Sequence, residues 1–359
     1  MKAISSLPRI ERPQLFLVVD DAFQNDFECY HPFIDKFDGI IHFSGYLHIP
    51  NDIINPPLIH CTSQNDLFEK VDFYFPVCFN VLPGRPAASW IPDFQHKYLP
   101  DLFSPREIAL RDELCRRIVE QAKFVCCSSR TVETDFWRFY PDSEAVTRVL
   151  ALRVSPEEYW YASSPLAIQE KYGLPDHFIL CSNQFWLHKN HRRLFEAIAL
   201  LKRKGDDVHL VCTGATNDYR SPGYFQELLQ YLEEQNIKTI VHILGVIPRP
   251  DQIQLIRRSL FVVQPSLFEG LSLIVQESRA LGKTILMSDI DVHLEYECGV
   301  YFNHNDVGDL ARKISDLIAI SRPGPDFRRE TEAKIQAAGL TTAYAKEFCK
   351  LVQDAQTMF

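Results

Sequence analysis

The sequence predicts an α/β protein built from two strand–helix units, on three observations. The chain has 359 residues, which is enough for two domains of ordinary size. From about residue 170, short apolar runs of strand length alternate with segments in which apolar residues have helical spacing. The first half shows the same alternation less regularly. Repeated units of this kind predict parallel sheets covered by helices on both faces, with ligands at the carboxyl ends of the strands.

In the first domain, placed at residues 1–160, four apolar runs predict strands and one long segment predicts a helix. The predicted strands are 15–19, 39–43, 75–79 and 124–128. The helix runs from about Pro105 to Ala122, because Ser104 is a good cap and proline is favoured in the first helical turn. The polar stretch 155–165 predicts the connection to the second domain.

The second domain, placed at residues 161–338, has a regular alternation of strands and helices. Strands are predicted at 178–182, 208–214, 240–244, 259–264, 284–287 and 300–302. Helices are predicted at 192–204, 224–234, 251–258, 273–281 and 307–319. Residues 339–359 predict a separate terminal helix with an apolar face.

Composition and charge exclude several classes of protein. The net charge of −9 argues against a nucleic-acid-binding protein, which needs a basic face. No apolar run approaches the roughly 20 residues that span a bilayer, and the first ten residues lack the apolar core of a secretory signal. Ten cysteines are spaced irregularly with no C-x-x-C pair, which favours buried thiols in a reducing cytoplasm over a zinc site.

The segment 265–277, PSLFEGLSLIVQE, predicts a binding site at the end of a strand. Glu269 falls in the strand-to-helix turn, and Glu277 points inward from the second turn of the helix. The amides of Gly270, Leu271 and Ser272 lie at the helix N-terminus, where phosphate binds readily. Phosphates on the amides and hydroxyls on the carboxylates suit a nucleotide sugar. The alternative is a solvated helix with two surface acids.

This segment resembles the signature P-S-x-x-E-G-x6-E of the retaining GT-B glycosyltransferases of the glycosyltransferase 4 (group 1) type. Residues 282–288, GKTILMS, also match the G-x-x-[IVL]-[LV]-x-S that follows in that family. The resemblance implies two Rossmann-like domains facing across a cleft, and a hexosyltransferase that acts with retention, without metal or cofactor. Glu269 would hold sugar hydroxyls and Glu277 the ribose. The terminal helix would cross back to the first domain; the alternative is that it packs only on its own domain.

Residues 183–191, NQFWLHKNH, resemble the family loop that grips the donor diphosphate through a basic residue, and Lys189 fits that position. Many relatives carry an arginine where this chain has Asn183, so the diphosphate would have one cation fewer unless Arg192 or Arg193 helps. By position, Gly214 would line the donor cleft. The alternative is that Lys189 is a surface lysine.

Residues 89–100, SWIPDFQHKYLP, resemble the family segment H-D-x6-P, which supplies an active-site histidine. Pro92 replaces that histidine, whereas Asp93 and Pro100 keep the spacing. His96 is the nearest imidazole, and with Asp93 it would complete the site; a lone histidine can equally be structural. The triplet Asp289-Ile290-Asp291 is interpreted as a strand-end loop and not as a metal site.

The chain departs from the family at its start, because residues 12–19 resemble the second strand of the family's first domain and no Gly-Gly pair occurs. This favours an alternative in which the protein is a catalytically silent nucleotide-sugar-binding or partner protein; an epimerase is a second alternative. The sequences around Trp90 and Trp186 are typical of mannosyltransferase-like proteins. The expected partners are a GDP-, UDP- or ADP-sugar and a saccharide or lipid-linked acceptor. A peripheral contact with the inner face of a membrane stays open.

Overall fold

The computed structural model describes residues 1–19, 31–43 and 57–358. The strands are β1 (Phe16–Val19), β2 (Gly39–Phe43), β3 (Leu58–Cys61), β4 (Tyr74–Cys78), β5 (Ala87–Ile91), β6 (Phe124–Cys127), β7 (Val146–Val149), β8 (Ile179–Ser182), β9 (Leu210–Thr213), β10 (Val241–Gly245), β11 (Val262–Gln264), β12 (Ile285–Ser288) and β13 (Val300–Phe302). The helices are α1 (Lys2–Ser5), α2 (Gln64–Lys70), α3 (Gln95–Tyr98), α4 (Pro105–Gln121), α5 (Arg130–Phe139), α6 (Tyr159–Ala162), α7 (Pro165–Lys171), α8 (His191–Arg203), α9 (Tyr224–Glu234), α10 (Arg249–Arg258), α11 (Leu273–Ala280), α12 (Asp291–Leu294), α13 (Val307–Ile320) and α14 (Phe327–Thr357). None of these helices is both long and apolar enough to cross a bilayer.

The second unit, β8 to β13 with its helices, confirms the strand–helix alternation predicted from the sequence. All six strands pair in parallel, in the order β10-β9-β8-β11-β12-β13. The strands β8, β9, β11 and β12 are buried throughout, which explains their nearly continuous apolar sequences. The order of the strands reverses between β8 and β11, so the carboxyl ends of these two strands open the crevice where such sheets bind ligands.

The first unit, β1 to β7 with its helices, contains two parallel sheets, β1-β2-β3 and β4-β5-β6-β7. The four predicted strands and the helix α4 are present, and Ser104 caps α4 in a reciprocal capping box with Glu107. Three strands were not predicted, namely β3, β5 and β7. The strand β5 has the sequence AASWI, which lacks a run of β-branched residues, and only its burial between two neighbouring strands makes it a strand.

The terminal helix α14 begins at Phe327, capped by Asp326, so the boundary predicted at residue 338 falls inside a continuous helix. Its 31 residues give a length of about 46 Å. Near its start, Glu330 forms a buried ion pair with Arg257 of the second unit, with 2.7 Å between Arg257 Nε and Glu330 Oε1. Near its end, Phe348 and Leu351 pack in a cluster with residues of the first unit that include Phe124. The helix therefore packs on both units.

Candidate functional site

The segment 265–277 lies where the sequence predicts it, between β11 and α11. The turn follows Gln264, the buried last residue of β11, and the helix begins at Leu273. Glu269 is buried in the turn, and Glu277 is buried in the second turn of α11. The segment thus places two carboxylates beside the point where the strand order reverses.

Glu269 is an ionised carboxylate at the centre of a hydrogen-bond cluster. Its Oε1 accepts from Lys189 Nζ at 2.6 Å, Ser266 Oγ at 2.7 Å and Gln264 Nε2 at 2.8 Å. Burial by itself raises the pKa of this carboxyl group, but Lys189 and the Ser266 hydroxyl outweigh it and hold the pKa below its usual value. Glu269 is therefore charged at neutral pH and can accept hydrogen bonds from hydroxyl groups.

Lys189 reaches Glu269 because its own loop is joined to the 265–269 turn. It ends a short 3₁₀ turn, Leu187–Lys189, after which Asn190 adopts a left-handed conformation. The amide of Leu267 donates to His188 O at 2.8 Å, and Asn190 Nδ2 donates to Pro265 O at 3.1 Å. These two bonds and the ion pair hold the loop after β8 against the loop after β11.

Asn183 and Gly214 belong to the same cluster. Asn183 Nδ2 donates to Gln264 Oε1 at 2.6 Å, so Gln264 links Asn183 to Glu269. Gly214 has a φ of +134°, and a Cβ atom there would lie 2.1 Å from Asn183 O. Only glycine allows the ends of β8 and β9 to approach in this way.

Glu277 has a different cationic partner. Arg249 Nη2 donates to Glu277 Oε1 at 2.6 Å, and Arg249 Nη1 donates to Gln252 Oε1 at 2.9 Å. The Arg249 side chain remains 41% exposed, so its guanidinium group is still available to a ligand. Arg249 comes from the start of α10, and the sequence analysis did not identify it.

The backbone at 270–272 differs from the predicted cradle of free amides. The Ser272 amide donates to the Tyr296 hydroxyl at 2.8 Å, so the prediction that this amide is free is wrong. Gly270 packs against the first unit, where its Cβ would lie 2.3 Å from Pro92 O. The amides without intrahelical partners at this helix end are those of the first turn, 273–275, next to Leu271.

Asp93 lies at the contact between the two units, whereas His96 is buried inside the first unit. A Cβ atom on Gly270 would lie 2.8 Å from Asp93 Cβ, and Ser128 Oγ lies 2.6 Å from Pro92 O and 3.1 Å from Gly270 O. His96 is buried, with its Nε2 3.0 Å from Asp112 Oδ1 of α4, and burial lowers its pKa despite that carboxylate. The contacts of His96 are within the first unit.

Two other sets of candidate residues have local partners. Arg192 Nε donates to Glu196 Oε1 at 2.9 Å, and Arg193 Nη1 donates to Asn305 O at 3.3 Å. Asp289 accepts from the amide and the imidazole of His304, and Asp291 begins α12. Within residues 1–19, 31–43 and 57–358, no group of three His, Cys, Asp or Glu side chains converges as a metal site.

Comparison with known proteins finds one matching family. Residues 167–336 match the family described as Glycosyl transferases group 1. No curated protein is detectably similar to the chain. This match supports the group 1 prediction for residues 167–336.

Solved structures show the fold. One relative is HepE (Alr3699) from Anabaena in complex with UDP and glucose, with a TM-score of 0.62 and 15% identity over 96% of this chain and 99% of that one. A trehalose-phosphate synthase from Burkholderia vietnamiensis has a TM-score of 0.63 and 12% identity over 96% and 100% of the two chains. WaaG, a glycosyltransferase of lipopolysaccharide biosynthesis, has a TM-score of 0.59 and 15% identity over 96% and 97%. The predicted GT-B fold is confirmed.

Proposed function

We propose that the protein is a hexosyltransferase, mannosyltransferase-like, that moves a sugar from a nucleotide-sugar donor to a hydroxyl acceptor with retention at the anomeric carbon. The observation that carries this proposal is the Lys189–Glu269 pair, held by Gln264 and Ser266 at the carboxyl edge of the second sheet. Support for a nucleotide-sugar donor comes from HepE, which has been solved with UDP and with UDP-glucose. The intact pair argues against the catalytically silent alternative.

The two carboxylates bind the sugar groups of the donor. Glu269, ionised and buried, accepts hydrogen bonds from hydroxyl groups of the donor sugar. Glu277 accepts hydrogen bonds from the hydroxyl groups of the ribose. The bond from the anomeric carbon to the diphosphate breaks, and the bond to the acceptor oxygen forms on the same face. The acceptor proton passes to an oxygen of the departing diphosphate.

The charge on the leaving group is stabilised by fixed groups of the protein. Lys189 neutralises the diphosphate, and the first-turn amides of α11 bind its oxygens, which together replace a metal cation. Arg249 is a second cation beside Glu277. We further propose that Asp93, beside Gly270, accepts from the acceptor hydroxyl.

The cellular setting is also a proposal. The nine cysteines in the described residues are free thiols, which favours a reducing compartment such as the cytoplasm. The acceptor is a saccharide or a lipid-linked saccharide, and in the second case the protein would contact the inner face of a membrane.

A thermal-shift experiment tests the donor site. UDP, GDP and ADP are each added at increasing concentration in EDTA, and again with Mg²⁺. A ligand at 100 times its Kd stabilises the folded state by about 2.7 kcal/mol, so one nucleotide should raise the Tm by several degrees in EDTA. NMR of the product formed from the matching nucleotide sugar then gives the anomeric configuration. Binding that is abolished by EDTA would overturn the metal-free mechanism, and no binding of any nucleotide would overturn the proposal.

A further inference from the structure

Arg220 is a buried cation of the second unit that the donor site described above does not use. Its side chain is only 4% exposed. It pairs with the carboxylate of Asp218, with 3.3 Å between Arg220 Nε and Asp218 Oδ1. The guanidinium group lies over the ring of Trp186 of its own unit, 4.7 Å from the centroid, and 5.2 Å from the ring centroid of Phe103 in the first unit. Arg220 therefore lies at the boundary between the two units.

On one side, Arg220 braces the turn that carries Lys189. Its Nη2 lies 3.3 Å from His188 Nδ1, and Asp218 Oδ2 accepts from the Leu187 amide at 3.2 Å. Burial, with a contribution from neighbouring Lys189, lowers the pKa of His188 to about 3, so the imidazole is neutral and its Nδ1 can accept. Arg220 and Asp218 together hold the 3₁₀ turn through His188 and Leu187.

On the other side, Arg220 contacts the first unit. Its Nη1 donates to Gln95 Oε1 at 3.0 Å. The backbone amide of Gln95 donates to Asp93 Oδ1 at 2.9 Å, and Asp93 packs against Gly270. The segment 92–95 thus touches the second unit at Arg220, in the loop after β9 that contacts the 187–189 turn, and at Gly270, in the loop that carries Glu269.

We infer that Arg220 is a positioning residue that makes the geometry of the Lys189–Glu269 pair depend on the docking of the 92–95 segment. This inference rests on the proposed function. With the units docked, Gln95 and Phe103 complete the surroundings of the guanidinium group, and the 187–189 turn is held in place. With the units apart, Arg220 loses both partners and the turn loosens. The contact should affect transfer more than nucleotide binding, because the charge that Lys189 stabilises develops on the diphosphate as the bond to the sugar breaks.

The kinetic test uses Gln95→Leu and Arg220→Gln, singly and combined. Each single variant should transfer sugar about tenfold more slowly, while its Kd for UDP or GDP changes less than about threefold. Both changes break the same hydrogen bond, from Arg220 Nη1 to Gln95 Oε1. The double variant should therefore transfer sugar no more slowly than Arg220→Gln. The matched controls are Arg203→Gln and Gln235→Leu, which break an exposed pair with the same geometry, 3.0 Å between Arg203 Nη1 and Gln235 Oε1. Additive losses, or an equal loss of nucleotide affinity, would overturn the inference.

A second measurement does not depend on activity. The Lys189 and Asn190 amides donate to Trp186 O and Leu187 O, so hydrogen exchange reports whether the turn is intact. In Gln95→Leu, exchange of residues 187–190 should rise by roughly tenfold while α8 and α9 stay protected. Unchanged exchange in this turn would overturn the inference even if the wild type is active. If the wild type binds no nucleoside diphosphate, the proposed function fails, and the exchange result still decides the role of Arg220.

Discussion

Lys189 Nζ lies 2.6 Å from Glu269 Oε1, although the two residues are 80 positions apart in the chain. Their side chains are 16% and 7% exposed, so both charges are largely removed from water. In such a pair the attraction between the two charges offsets the cost of removing them from water, and removal of one partner leaves a buried charge without compensation. The two motifs recognised separately in the sequence are thus parts of one electrostatic unit.

Lys189→Met should therefore affect both stability and turnover. It should lower the free energy of unfolding by about 3 kcal/mol, because Glu269 loses its cation, and it should lower turnover at least tenfold. Denaturant unfolding and initial rates measure the two effects. The control is Lys238→Met, which breaks an exposed pair of the same length, 2.6 Å to Glu233, and should leave unfolding unchanged. Equal effects of the two changes would show that the buried pair has no special role.

Glu269→Gln and Glu277→Gln keep the side-chain size and remove the charge. A carboxylate that binds hydroxyls contributes about 1.5–3 kcal/mol per charged hydrogen bond, so turnover should fall roughly ten- to hundredfold in each variant. Circular dichroism should show folded proteins. Glu233→Gln, on the exposed surface of α9, serves as the control. Wild-type turnover in both variants would refute the assignment of these glutamates.

Gly270→Ala tests the contact between the units. Its Cβ would lie 2.3 Å from Pro92 O, and backbone oxygen cannot move aside as a flexible side chain can, so the two units must separate locally. We expect transfer to fall by at least tenfold while the variant still binds the nucleotide. Gly339→Ala is the control, because it has no atom within 4 Å of the new Cβ and lies on an exposed face of α14. Full transfer activity in Gly270→Ala would contradict the docked arrangement.

Phe348→Ala tests the role of α14 in holding the units together. Phe348 is 6% exposed and packs edge-on against Phe75, with 5.4 Å between ring centroids. Its removal should lower the free energy of unfolding by about 3–5 kcal/mol, whereas Phe327→Ala on the same helix, at a residue that is 72% exposed, should have little effect.

A truncation after Ala338 should keep nucleotide binding and lose transfer. Thermal unfolding and transfer assays of the three proteins measure this, and a fully active truncation would rule out the role.

Lys283→Met tests a pH dependence that is separate from the site. Burial lowers the pKa of the Lys283 amine to about 7, and the amine donates to Ser259 O and Gly324 O. Between pH 7 and the usual lysine pKa, the unfolded chain holds a proton that the folded protein lacks. The contribution of Lys283 to the free energy of unfolding should therefore rise with pH, by at most about 1.4 kcal/mol per unit.

In Lys283→Met this contribution should disappear, so the slope of the variant should be smaller than that of the wild type by up to about 1.4 kcal/mol per pH unit. Two carbonyl groups also lose a donor, at a cost of about 1–3 kcal/mol. Urea unfolding at several values between pH 6.5 and pH 9.5 gives the two slopes. Parallel slopes for wild type and variant would show that the amine does not titrate in this range.

The sequence could predict most of the second unit because its signals are local. Buried parallel strands have continuous apolar runs, and amphipathic helices have apolar residues at helical spacing, so β8 to β13 were found. The segment 265–277 was recognised for the same reason, since turn, glycine and helix start are adjacent in the chain. In the first unit, β5 lacks such a signal, and its neighbours β4 and β6 determine that it is a strand.

Which side chains meet depends on how separate elements of the fold pack together. The sequence predicts Glu269, Lys189 and Asn183 at the ends of strands. It predicts Gln264 only as the last residue of a strand, although its side chain joins Asn183 to Glu269. It could not show that Tyr296 occupies the Ser272 amide, or that His96 faces Asp112. The direction of a side chain and the partner of a buried charge depend on how separate elements pack. The free energy of such contacts comes from residues that are distant in the chain, so the spacing of neighbouring residues in the sequence cannot predict them.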